Sequence, residues 1–90
     1  MNTELDDLEY DILNCVYFVE EYTKILEEVM APPGVVADGL KTLINKKFVI
    51  AMKWEEETQE YKRSFIYDSD NMNAYSYMAT KEGLLAHNSR

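Results

Sequence analysis

The chain has 90 residues, of which 47% are hydrophobic, enough for one hydrophobic core and too few for two. Seventeen acidic residues against nine basic ones give a net charge of -8, which on average repels phosphate and disfavours tight non-specific binding to nucleic acid. No apolar run approaches the roughly 18 residues of a membrane span. The N-terminus lacks the pattern of a secretory signal, and a single cysteine cannot form an internal disulfide, so we expect one cytoplasmic domain.

A first helical stretch runs from Leu5 to Val29, where apolar residues recur at helical spacing among acidic and polar ones. The stretch contains neither Gly nor Pro, so its periodicity leaves open one amphipathic helix or two in series. The spacing also fits a coiled-coil seam, but the flanking residues are mostly acidic, and a stripe that faces the core is the simpler interpretation. Cys15 lies on this stripe and is expected to be a buried structural cysteine.

The segment Met30-Ala31-Pro32-Pro33-Gly34 ends the first pattern, because proline lacks an amide donor and disfavours helix in the residue before it. Pro33 suits the first turn of the next helix, where its missing donor costs nothing. Gly39 inside that helix costs about 1 kcal/mol relative to alanine, and a close approach by the preceding helix would compensate for this cost. The buried stripe of the helix is predicted to comprise Val36, Leu40, Leu43 and Ile44.

The second half of the chain has the composition of strands. Phe48 to Trp54 is rich in β-branched and aromatic residues and is bounded by charged ones, which predicts a strand. Tyr61 to Tyr67 and Tyr75 to Met78 predict two more, joined by a polar turn at Asp68-Ser69-Asp70-Asn71. This turn resembles part of a calcium loop but lacks the spaced ligand series and the terminal Glu, so a metal site is not expected there.

A short helix is expected at the end of the chain, over residues 81–87. Thr80 is suited to cap it, and Leu84 and Leu85 are predicted to return to the core. The predicted order is therefore three helices, three strands and a helix.

Four segments resemble a winged-helix domain of the small bacterial, archaeal and phage transcription-regulator type, and together they cover residues 5 to 88. Ile25 and Val29 match core positions of the family's second helix. The apolar positions of its third, recognition helix are matched by Val36, Leu40 and Leu43, and the start of its first wing strand by Phe48-Val49-Ile50. The family's ending, a last wing strand that runs through a Thr into a helix with a Gly, is similar to Tyr77-Met78-Ala79-Thr80-Lys81-Glu82-Gly83-Leu84-Leu85.

The resemblance implies an α+β fold, a winged helix-turn-helix with three N-terminal helices, a two- or three-stranded antiparallel wing and a short C-terminal helix. It divides the first helical stretch near Val19 to Tyr22. The expected single domain then has helices at 4–19, 21–30 and 33–46, strands at 48–55, 61–67 and 75–79, and a final helix at 81–87.

The chain departs from the family pattern in three places. Pro32-Pro33 and Lys47 stand where the family has a Ser or Thr cap and a Gly. The stretch between the first and last wing strands is longer than a simple hairpin and begins with the acidic Glu55 to Glu60, which a phosphate backbone would repel. The start of the recognition helix, where the resemblance implies polar and basic side chains that contact phosphates and bases, instead presents Gly34, Val35, Ala37 and Asp38.

Basic and polar residues on or just after the recognition helix and on the wing are the candidate DNA contacts implied by the resemblance. Among them only the guanidinium group of Arg63 is suited to a bidentate contact with guanine. A solvated surface with incidental lysines is the alternative. The candidates are Lys41, Thr42, Asn45, Lys46, Lys47, Lys62 and Arg63.

Aromatic residues are concentrated on the first helix and the strands, where packing in the core is their simplest role. Exposed Tyr and Trp side chains would instead suit a protein interface, in which these types are enriched. The candidates for a dimer or partner surface are Tyr10, Tyr17, Tyr22 and Trp54.

Residues that would support catalysis are scarce. His87 is the single histidine, no Cys/His pair or Ser/His/Asp order has a supporting motif, and no Gly-rich phosphate loop is present. We therefore expect no enzyme, cofactor, metal or small-molecule substrate.

Two functions remain open. The first is a homodimeric DNA-binding winged-helix regulator that reads duplex DNA with residues 33–46 and touches the backbone with its wing. The second is an acidic winged-helix protein-interaction module, an adaptor or antagonist that does not bind DNA, favoured by the net charge and by Glu55 to Glu60.

Overall fold

The computed structural model describes residues 4–89 as an α+β arrangement of helices and one antiparallel sheet. The elements in chain order are α1 (Asp7–Cys15), β1 (Glu20–Glu21), α2 (Tyr22–Glu28), α3 (Pro33–Asn45), β2 (Val49–Glu55), β3 (Glu60–Ser64), a 3-10 turn (Met72–Ala74), β4 (Ser76–Ala79) and α4 (Lys81–Asn88). Within this part of the chain, no helix is long and apolar enough to cross a membrane.

Helix α1 begins with a reciprocal cap. The Asp6 carboxylate accepts a hydrogen bond from the Glu9 amide at 2.7 Å, and the Glu9 carboxylate accepts one from the Asp6 amide at 3.0 Å. This capping box satisfies two amides that have no partner inside the helix.

The first helix is shorter than expected, because it ends at Cys15 and not at residue 19. The carbonyl of Val16 accepts a hydrogen bond from the amide of Ala79 at 2.8 Å, and Glu20 and Glu21 then pair with β4 as strand β1. The residues between helix and strand, Val16-Tyr17-Phe18-Val19, are β-branched or aromatic, and these types favour an extended backbone without marking the residue at which a helix ends. The first helical stretch is therefore two helices separated by a strand.

Helix α3 begins at Pro33, as the sequence predicts, with Pro33 in its first turn. Val36, Leu40 and Leu43 are fully buried, which confirms most of the expected stripe, whereas Ile44 is only half-buried.

The residue that approaches Gly39 belongs to α1 and not to the preceding helix α2, which corrects the expectation. A Cβ atom at Gly39 would lie 2.7 Å from Cδ1 of Ile12 and 3.0 Å from Cδ2 of Leu8. Glycine thus allows α1 and α3 to pack closely.

The sheet has four antiparallel strands in the order β1-β4-β2-β3, and not two or three. Strand β3 ends at Ser64, three residues earlier than expected, because its pairing with β2 ends where Ser64 lies opposite Ala51. The polar turn at residues 68–71 is present, with the Asp68 carboxylate accepting from the Asp70 amide at 2.9 Å.

The strand register separates two faces of the sheet. Val49 and Ala51 of β2 lie opposite Ala79 and Tyr77 of β4, and all four are buried against the helices. The alternate residues point to the other face, where Trp54 lies opposite Tyr61 and Met52 opposite Arg63. One face of the sheet therefore completes the core, and the other carries the exposed aromatic side chains of the hairpin of β2 and β3.

Helix α4 is capped as predicted, because the Thr80 hydroxyl accepts from the Gly83 amide at 3.0 Å. Leu84 is half-buried against the core, but Leu85 is 57% exposed, so the expectation of two core leucines is wrong for Leu85. The buried positions of the helix are Gly83, Ala86 and His87.

Candidate binding surface

Lys46, one of the candidate DNA contacts, is engaged within the chain. Its ammonium group lies 2.6 Å from a carboxylate oxygen of Glu9, whose side chain is only 6% exposed. The Lys46 side chain is itself 27% exposed. Its ammonium group neutralises the nearly buried carboxylate of Glu9. A phosphate contact by Lys46 would have to compete with this ion pair.

The two basic candidates on the wing are also held by neighbours. Lys62 lies 2.8 Å from the Glu60 carboxylate, and this contact raises the pKa of Lys62 above its ordinary value. The guanidinium group of Arg63 lies 4.5 Å from the centre of the Phe65 ring, a cation-π contact.

The remaining candidates lie on α3 and at its end. Asn45 and Lys47 are exposed and Lys41 is half-buried, whereas the exposed Thr42 hydroxyl donates to the Asp38 carbonyl at 3.0 Å. Lys41 lines a surface groove together with Asp70, and a second groove brings Lys46 and Lys47 together with Arg63. Four of the predicted basic residues are thus spread over two grooves, and Lys62 lines neither.

Tyr10 and Tyr17 surround the buried His87. Tyr10 stacks on the imidazole with ring centres 4.2 Å apart, and the Tyr17 hydroxyl lies 2.5 Å from Nδ1 of His87. The Nε2 atom of His87 is buried without a hydrogen-bond partner among residues 4–89. These contacts fix α4 against the end of α1, so Tyr10 and Tyr17 have a structural role in addition to any role at an interface.

Tyr22 and Trp54 lie together in a different place, a groove of about 480 Å³ between the hairpin of β2 and β3 and the start of α2. Trp54 is 44% exposed, and its ring meets that of Tyr61 with centres 5.0 Å apart at an interplanar angle of 70°. The structure therefore divides the four predicted interface residues into two pairs.

Of the groove residues that the sequence did not predict, three carry its aromatic and charged groups. Tyr61 and Tyr75 add two more aromatic side chains, and Glu21 adds a carboxylate next to Tyr22. The position of Tyr61 could have been predicted from the sequence, because a hairpin that closes between Glu55 and Glu60 places Tyr61 opposite Trp54. The positions of Glu21 and Tyr75 could not, because they depend on strand β1 and on the loop before β4.

The aromatic groove also contains a carboxylate. Glu21 lines it directly and is exposed, and within the described residues its carboxylate forms no ion pair. Glu55 and Glu60, the next pair along the hairpin of β2 and β3, point to the opposite face, so Glu21 is the one carboxylate among the described residues that lines the groove. The local field at this groove therefore favours a positively charged ligand.

Cys15 is half-buried, and not fully buried as expected. Its thiol donates to the Asp11 carbonyl at 3.3 Å, and burial, together with the neighbouring carboxylates of Glu28, Asp11 and Glu20, raises the pKa of Cys15 to about 12. A thiol that holds its proton this strongly is a poor nucleophile at neutral pH. Over residues 4–89, no three His, Cys, Asp or Glu side chains come together in a way that could hold a metal ion.

No protein family, characterised protein or solved structure matches this chain.

Proposed function

We propose that the chain is a winged-helix protein-interaction module that binds a basic segment of a partner protein. The element order supports the winged-helix assignment, because α2 and α3 are joined by a short turn and are followed by the hairpin of β2 and β3, with β1 joining the sheet between α1 and α2.

The observation that carries the proposal is the exposed aromatic pair of Trp54 and Tyr61 beside the carboxylate of Glu21. Exposed Trp and Tyr are typical of the centres of protein interfaces, where they supply large contact areas at low entropic cost. The net charge of -8 adds long-range attraction for a basic partner.

Binding to duplex DNA is the second candidate function. It is favoured by the groove that brings Lys46, Lys47 and Arg63 together and by the exposed Asn45 on α3. Against it, Lys46 already forms an ion pair with the nearly buried Glu9, and the net charge of -8 repels the phosphate backbone. A homodimer and a cytoplasmic location stay predictions under either function.

The two functions separate in one titration, in which the protein is mixed at low and moderate salt with a lysine-rich peptide or with mixed-sequence duplex DNA. Trp54 is the single tryptophan, so its emission reports the peptide, and anisotropy of labelled DNA reports the duplex. We expect saturable binding of the peptide that weakens with salt, and no binding of DNA. Micromolar binding of DNA with a steep salt dependence would overturn the proposal and support the second candidate.

A further inference from the structure

The groove of Tyr22, Trp54, Tyr61 and Tyr75 has the chemistry of a site for an organic cation. The rings of Trp54 and Tyr61 meet nearly at right angles, so they form two walls of a corner. The faces of aromatic rings carry negative electrostatic potential and attract ammonium and guanidinium groups, and Trp attracts them most strongly. Glu21 completes the site with a full negative charge.

Two aromatic rings already contact cations of the same chain, and one of these rings, Tyr75, is at the edge of the groove. The Lys53 ammonium lies 5.8 Å from the centre of the Tyr75 ring, and Arg63 is stacked on Phe65. By contrast, no lysine or arginine of the described residues lines the groove. The described residues therefore leave the corner of Trp54 and Tyr61 open to a cation from another molecule.

We propose that the groove between Glu21, Trp54 and Tyr61 binds a lysine or arginine side chain from a basic segment of a partner protein. The aromatic rings would contact the alkyl or guanidinium part, and the Glu21 carboxylate would neutralise the charge. This inference rests on the proposed function, because it names the site at which a basic partner is recognised.

The test uses two short alanine peptides that are identical except at the centre, where one carries lysine and the other norleucine. Norleucine has the alkyl chain of lysine without the ammonium group, so the pair isolates the charge. The lysine peptide is expected to change Trp54 emission saturably, and the norleucine peptide is expected to leave it unchanged at the same concentrations. Equal responses to both peptides would overturn the cation site.

A pair of matched variants then distinguishes the groove from general attraction to an acidic protein. Glu21→Gln removes the carboxylate of the groove, and Glu57→Gln removes an exposed carboxylate at the wing tip that does not line it. We expect about two- to fivefold weaker binding of the lysine peptide for Glu21→Gln, and a change of less than about twofold for Glu57→Gln. Tyr61→Leu, which removes one ring, is expected to weaken binding by about two- to fivefold.

The outcomes separate this inference from the proposed function. If Glu21→Gln and Glu57→Gln weakened binding of the lysine peptide equally, the groove site would be overturned. Binding of the longer lysine-rich peptide would in that case still support the proposed function. If the unmodified protein did not bind the longer lysine-rich peptide, both the groove site and the proposed function would be overturned. Since Glu21 and Glu57 are exposed, both variants are expected to fold, and circular dichroism checks this.

Discussion

At the scale of single residues, the role of Lys46 depends on its position in the fold. In the sequence it is one of several lysines near the end of a helix, whereas in the fold it neutralises Glu9, which also closes the cap of α1. The ion pair of Lys46 and Glu9 therefore links the end of α3 to the start of α1.

Replacing Lys46 by methionine is expected to lower the free energy of unfolding by about 3 kcal/mol, because the Glu9 carboxylate would be left buried without a counter-ion. Urea unfolding followed by circular dichroism measures this change. Lys47→Met is the matched control, since Lys47 is exposed and forms no ion pair within residues 4–89, and it is expected to change stability by less than about 0.5 kcal/mol. Equal stability of the two variants would show that the Lys46–Glu9 pair contributes little.

Lys47 has an unusual backbone conformation just after α3. Its backbone φ is 67°, in the left-handed region that glycine adopts most readily, and the amide of Phe48 donates to the carbonyl of Leu43 at 2.9 Å. This is the arrangement that ends many helices at a glycine. Glycine meets this backbone requirement without strain, whereas lysine adopts it at a steric cost.

At the scale of elements, the two buried glycines define how closely the helices approach their neighbours. A Cβ atom at Gly83 of α4 would lie 2.1 Å from the carbonyl oxygen of Phe48, an atom of the backbone. At Gly39 of α3 the nearest atom would be the flexible end of the Ile12 side chain, at 2.7 Å.

Gly83→Ala is therefore expected to destabilise the protein by about 3 kcal/mol, since α4 must move away from the sheet. Gly39→Ala is expected to cost less than about 1.5 kcal/mol, because Ile12 can change rotamer and alanine favours the helix. Thermal unfolding of the two variants compares them directly. A larger loss for Gly39→Ala would contradict the assignment of the tighter contact to α4.

The elements differ in how much of them the sequence determines. Pro33 and Thr80 mark helix starts by local chemistry, and the structure confirms both. The end of α1 has no such local mark, because it is set by the hydrogen bond from Ala79 to Val16, between residues far apart in the chain. Strand β1 was missed for the same reason, since a two-residue strand exists only through its partner β4.

At the scale of the whole molecule, several groups hold their protons more strongly in the fold than in the unfolded chain. The pKa of Cys15 rises from 9.0 to about 12, mainly through burial, and burial also raises the pKa of Tyr77 and Tyr67 above 10.0. The unfolded chain therefore releases these protons at lower pH than the folded chain does.

Since the folded state binds more of these protons, stability is expected to fall as pH rises from about 9 towards 12. Their contribution is fully present below pH 9 and is lost as the pH passes through the folded-state values. Urea unfolding at successive pH values measures the slope. Cys15→Ala should reduce the slope between pH 9 and 10, and an unchanged slope would show that the thiol is not protected by the fold.

The assembly of the groove depends on the fold of the whole molecule. Trp54 was predicted from the sequence as an interface residue because of its type, but its partners come from β1, β3 and the loop before β4. Residue type alone does not reveal which side chains a sheet brings together, because strand order and register determine this.

The sequence by itself determined the α+β class, the buried stripe of α3, the helix starts at Pro33 and Thr80 and the polar turn at residues 68–71, because each depends on local periodicity, capping or turn chemistry. Tertiary structure alone decided the end of α1, the pairing of β1 with β4, the neutralisation of Lys46 by Glu9 and the assembly of the aromatic groove. Each of these depends on contacts between distant residues, whose geometry is fixed only when the helices and the sheet pack around one core.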